Sequence, residues 1–232
     1  LRGFAEWYRK EKQLNKQAVA GDYIRHMFVL GLHKNTIRNR LLVLRGLVNE
    51  LIPHKQTINP FVGIKVKKTK AQSKLPFHKN QLAELIPILQ SEDLQLRDAV
   101  DFLYYLYFRP KELRELKISH IMFDAMKLIA SDDILKDDDN YLKSIPVAMQ
   151  PHILKYKDYP TNYYIFSSTG TPGAKQLSRD NLSKRMTAIL RRLNYHPRYT
   201  LYSFVHTGMM MAESAGIPHK QLQLQKGHSD LK

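Results

Sequence analysis

Between Pro53 and Pro76 the chain abandons the pattern that governs it on either side, and this break decides how many cores it can build. Upstream, Trp7, Tyr8, Leu14, Val19, Tyr23, Ile24, Met27, Phe28 and Leu32 recur at helical spacing. A second helix is predicted over 35–51, with Ile37, Leu41, Leu44, Leu47, Val48 and Leu51 on its core face and Lys34, Arg38, Arg40 and Arg45 opposite. Then Asn59-Pro60 punctuates the chain, and Lys65, Lys67, Lys68, Lys70 and Lys74 follow with little apolar content, which is linker composition. The boundary is therefore placed near residue 75, giving a helical domain over 1–75 and a second domain over 76–232.

The second domain reads as helices over 80–89, 94–108 and 111–117, the middle one apolar enough to be buried on most sides. Two β-prone runs, 127–134 and 141–147, flank the polar stretch 136–140 and predict a hairpin. A helix over 148–156, a third strand at 163–166 and helices over 180–193, 203–215 and 219–225 complete the expected elements. The expected fold is mainly α with a small antiparallel β-sheet.

Charge narrows the function. Residues 1–75 carry 16 Lys/Arg against 4 Asp/Glu, residues 76–150 carry 9 against 13, and residues 151–232 carry 12 against 4. Two basic segments around an acidic one predict two positive surfaces suited to a polyanion, with nucleic acid the expected partner. Lys34, Arg38, Arg40 and Arg45 on the second helix, Lys65, Lys67, Lys68 and Lys70 on the strap, and Arg179 and Arg185 beside Ser178 and Asn181 are the candidate phosphate contacts. The competing account is a solvated basic surface, or a ribosome-associated or RNA-binding protein. With no cysteine, disulfides, zinc–thiolate sites and thiol catalysis are excluded. No apolar run approaches the roughly 20 residues that span a bilayer, so a cytoplasmic, nucleoid-associated protein is expected. The chain opens on Leu1 instead of Met, as a piece of a longer protein would.

Four short stretches share one chemistry. Arg109-Pro110-Lys111-Glu112-Leu113 sets an arginine three residues before Glu-Leu. Lys136 lies where the first strand of the hairpin gives way to its acidic turn, with Lys143 as the second choice. Tyr202-Ser203-Phe204-Val205-His206-Thr207 and Gln225-Lys226-Gly227-His228-Ser229 follow. In order and spacing these resemble the arginine box, hairpin lysine, His-x-x-Arg-His-Thr box and Leu-Gly-His-Ser box of the tyrosine site-specific recombinases (phage integrases), over nearly the whole chain.

The resemblance implies a helical, SAM-like core-binding domain over 1–75 followed by an α+β catalytic domain over 76–232, which together grip duplex DNA. It assigns Arg109, Tyr202 and His228 to the scissile phosphate and Lys136 to protonating the leaving 5′ hydroxyl, with no metal or other cofactor. An active relative attacks the phosphodiester with a tyrosine, forms a 3′-phosphotyrosyl bond and works as a tetramer on inverted-repeat sites, in integration or recombination of a mobile element. Two departures stand out. Val205 occupies the place of the second arginine, and His206 is expected to pack or bond internally. The nucleophile's place falls past His228, beyond Lys232, so the sequence as written predicts a chain that binds DNA without cutting it. That chain is either a disabled recombinase or a degenerate copy that acts only by binding.

Overall fold

The computed structural model describes residues 2–10, 18–51, 59–69, 72–130 and 141–226. It divides into two compact units, Leu1–Ala71 and Gln72–Lys232. The division comes earlier than residue 75 because Ser73 and Leu75 are bound to the second unit: the Arg198 side chain donates to the Ser73 carbonyl at 2.9 Å, and the Leu75 amide donates to the Arg198 carbonyl at 3.3 Å.

The first unit contains α1 (Arg2–Lys10), α2 (Val19–Val29) and α3 (Lys34–Leu51). Its core joins Trp7, Tyr23, Met27, Ile37, Leu41 and Leu44 to Phe61, with Phe4 set edge-on to both Tyr23 and Phe61. Phe61 belongs to the stretch that the sequence assigns to a linker. Described over 59–69, this stretch lies along α3 and is fixed at both ends. The Arg45 guanidinium donates to the Phe61 and Ile64 carbonyls at 3.1 Å each, and the Asn35 side chain exchanges two 3.1 Å bonds with the Thr69 backbone. Ile64 and Val66 pack on the core while Lys65 and Lys67 point out, an alternation of period two that marks extended chain on a surface.

Two further expectations for α3 change. At 100° per residue, Lys34, Arg38 and Arg45 fall on one flank of the buried stripe, and Arg40 falls on the other, so the cations border the stripe on both sides instead of opposing it. Leu47 and Leu51, expected in the core, are 37% and 67% exposed.

The second unit is built around α5 (Leu94–Leu106), which packs on α4 (Lys79–Glu92), α8 (Asn181–Arg192) and α9 (Ser203–Ser214). Its buried face runs through Leu96, Val100, Phe102, Leu103 and Leu106, and it stops short of residue 108 because Tyr107 takes a left-handed φ of 55°. The approach of α9 to α5 depends on Gly208: a Cβ there would sit 2.0 Å from the Tyr104 carbonyl oxygen. The predicted helix over 111–117 is only α6 (Pro110–Leu113), because the chain beyond it pairs with 163–165. The Ile118 amide donates to the Tyr163 carbonyl and the Ile165 amide to the Leu116 carbonyl, both at 2.9 Å.

The three-stranded antiparallel sheet orders β1 (Ile121–Met122), β2 (Lys127–Ala130) and β3 (Tyr141–Ser144). The third strand is thus 121–122, joined to β2 by a tight turn, while Tyr164 makes only isolated bridges to Lys117 and Gly173. The helices α7 (Gln150–Leu154) and α10 (His219–Lys226) complete the unit. No helix among the described residues is long and apolar enough to cross a membrane.

Candidate functional site

Arg109 is placed by its own short motif. It precedes α6, with Pro110 at the first helical position, where a missing N–H costs nothing. Glu112 reaches back from the third, accepting the Arg109 backbone amide at 2.7 Å and its guanidinium at 2.6 Å. Leu113 is buried and anchors the turn. The guanidinium is therefore oriented by a nearly buried carboxylate while staying 38% exposed. This explains the spacing of arginine and glutamate: one stays partly exposed and the other fixes its direction.

Tyr202 arrives at the same place from α9, nearly a hundred residues away in sequence. Burial raises its pKa, and the nearby Arg109 charge partly offsets that rise. Tyr202 therefore keeps its proton at neutral pH and can donate to a phosphate oxygen. One helical turn on, the His206 ring stands edge-on to Tyr202 at 5.0 Å. Burial lowers its pKa, with Lys226 adding to the effect. Between them Val205 is fully buried, as are Leu201, Phe204 and Gly208. Residue 205 thus faces the hydrophobic core, whereas Tyr202 and His206 lie on the partly exposed side of α9.

Lys143 is the residue whose importance the sequence understated. On β3, Leu142 is 52% exposed while Lys143, paired across the sheet with Leu128, is fully buried, so the expected alternation is inverted. Its ammonium donates to the carbonyls of Leu106 (2.9 Å) and Gln225, at the C-terminal ends of α5 and α10, and stands 4.7 Å over the Phe108 ring. Carbonyls at helix ends have no intrahelical partner, and the helix dipole favours a cation there. Burial nevertheless pushes Lys143 down to about 7, Glu112 raising it and Arg109 and Lys226 lowering it further. The available signal was a lysine in line with Ile145, both on the inward side of the strand.

The remaining expected contacts separate by how their donors are used. Lys34, Arg38, Arg40, Lys65, Lys67 and Lys68 are exposed, and Arg38, Lys65 and Lys67 rim one cleft between α3 and the strap. Arg45 is half-buried and holds that strap. Arg179 is 84% exposed and lines a second cleft with Lys111, Arg114, Ser178 and Asn181 beside the start of α8. Arg185 is turned inward, bound to Asp93, to Gln95 at 2.7 Å and to Asn181 at 3.1 Å. Lys136, His228 and Lys70 lie outside the described residues. Elsewhere Asp98, Asp101 and His152 converge within 4.8 Å, but Lys155 and Arg97 already engage the two carboxylates.

The sequence matches no protein-family model and no curated protein. Solved structures do match. A Tn1549 transposon integrase in complex with a circular intermediate DNA is 15% identical, over 98% of this chain and 90% of that one, with a TM-score of 0.69. Lambda integrase bound to DNA is 15% identical over 100% and 84%, at 0.74. A lambda integrase tetramer bound to a Holliday junction is 16% identical over 99% and 70%, at 0.75.

The chain has the tyrosine-recombinase fold.

Within that fold, the structure brings together Arg109 and Tyr202 of the predicted site, adds His206, Lys143 and Lys226, and keeps Val205 inside the core.

Proposed function

We propose that this chain is the DNA-binding body of a tyrosine site-specific recombinase, and that a phosphodiester of duplex DNA lies against Arg109 and Tyr202. The observation that carries this reading is the convergence of Arg109, Tyr202, His206 and Lys226 from three separate segments, on a fold shared with integrases solved on DNA. Arg109, held by Glu112, offsets charge on a phosphate oxygen, and the protonated Tyr202 donates to another. In a cutting relative, a tyrosine attacks this phosphate and a 5′ hydroxyl leaves, with His228 at the phosphate and Lys136 supplying the proton. Exposed Lys34, Arg38, Arg40, Lys65, Lys67, Lys68 and Arg179 follow the backbone by charge, which carries affinity without base specificity. Assembly on DNA as a tetramer, at sites with inverted repeats, belongs to the same proposal.

A second reading has its own observation. Val205 supplies no hydrogen bond and no charge where the pattern has arginine, and losing one preorganised donor typically costs about 100-fold or more in rate. The chain then serves by occupying DNA, as a binding or regulatory module.

The test is duplex binding across salt concentrations, with and without inverted repeats. Binding that weakens with salt and prefers one repeat-bearing site supports the recombinase body. Arg109→Ala is expected to reduce that preference more than it reduces binding to random duplex, whereas equal loss on both would remove Arg109 from its assigned role.

A further inference from the structure

We propose that Lys226 supplies the second cation of the phosphodiester site, in the role that the recombinase pattern gives to an arginine where Val205 stands. This rests on the DNA-binding function proposed above and adds a residue that the sequence pattern does not mark, since the corresponding place in the Leu-Gly-His-Ser box is apolar.

The argument begins with how α10 is held. The Gln225 side chain clasps the Ser144 backbone, donating to its carbonyl at 2.8 Å and accepting its amide at 3.3 Å. The Gln225 carbonyl accepts from Lys143, whose ammonium also binds the Leu106 carbonyl. The end of α10 is therefore fixed to β3 and to the end of α5, and three residues past Leu106 the chain presents Arg109. Lys226, next after Gln225, is half-buried at this junction.

Electrostatics agree with the geometry. The Lys226 pKa is lowered by burial and then by the Arg109 charge. Lys226 in turn depresses His206 and Lys143. The charges of α10, the α6 turn, α9 and β3 therefore act on one another, and Glu112 engages Arg109 at 2.6 Å. A phosphodiester, whose single negative charge is shared by two oxygens, is suited to bridge Arg109 and Lys226. Val205 cannot fill this role from inside the core, whereas Lys226, at the end of α10, is near enough to Arg109 and His206 for the charges to interact.

Two measurements on the full chain test this. The first is the His206 ring titration by NMR in wild type and in Lys226→Met. Removing the neighbouring charge is expected to raise the His206 pKa, and no shift would overturn the placement of Lys226. The second is the salt dependence of binding to a random-sequence DNA duplex. Loss of one phosphate contact lowers the slope of log K against log salt by about 0.9, roughly an eightfold loss at 0.1 M. Lys226→Met is expected to show this loss and Lys226→Arg to retain the wild-type slope. If His206 shifts while the slope stays unchanged, Lys226 is a neighbour without a phosphate role, and the inference fails with DNA binding intact. If the wild-type chain does not bind duplex, the DNA-binding function fails, and the inference with it.

Discussion

Lys143 should make the stability of the second unit rise with pH. Its folded pKa is about 7, against 10.5 for the free side chain, so between these values the unfolded chain holds a proton that the folded chain has lost. Stability then increases with pH at up to about 1.4 kcal/mol per unit, or about 2 kcal/mol between pH 7 and pH 9. Deprotonation does not break the structure, because a neutral amine still has two N–H groups for the Leu106 and Gln225 carbonyls. In Lys143→Met the charge penalty disappears, but two helix-end carbonyls lose their donor, at about 1–3 kcal/mol each. The variant is therefore expected near wild-type stability at pH 7 and about 2 kcal/mol below it at pH 9, relative to the pH 7 difference. Tyr156 and Tyr195, whose pKa values are raised, titrate above this window and are common to both proteins. The assay is urea unfolding at pH 7, 8 and 9. Trp7 is the sole tryptophan and reports the first unit, so the second unit is followed by circular dichroism and tyrosine fluorescence. A difference between the two proteins that stays constant across pH would refute the buried, proton-losing lysine.

Two other substitutions probe the packing that builds the site. Gly208→Ala puts a methyl group into the Tyr104 carbonyl, which is backbone and cannot rotate away, and should cost about 3 kcal/mol, lowering the melting temperature of the second unit by roughly 10 °C; a melting curve identical to wild type would mean that α5 and α9 separate freely. Val205→Arg puts a guanidinium at a fully buried position and should destabilise by about 3–5 kcal/mol without tightening DNA binding; unchanged melting together with tighter binding would show that position 205 opens toward the phosphate.

The sequence by itself determined the helical periods, the paired strands of the second unit and the order of the motifs, because these depend on residues close together along the chain. Arg109 was legible for the same reason: Pro110, Glu112 and Leu113 create its setting within four positions. Tyr202 was legible only through the recombinase pattern, since its neighbour Arg109 is remote in sequence. The strap over 59–69 looked like a linker because its lysines dominate its composition, and only the folded α3 offers the groove that Phe61, Ile64 and Val66 fill. Arg185 and Arg179 look alike on a helix start, but Asp93 and Gln95, about ninety residues earlier, turn one inward while the other stays exposed. Lys143 and Lys226 show the limit most clearly. A strand lysine and a helix-end lysine carry no mark in the chain, and what they do depends on which carbonyls and charges surround them. Tertiary structure decided that, because desolvation and charge–charge coupling depend on distance through space and not on separation along the sequence.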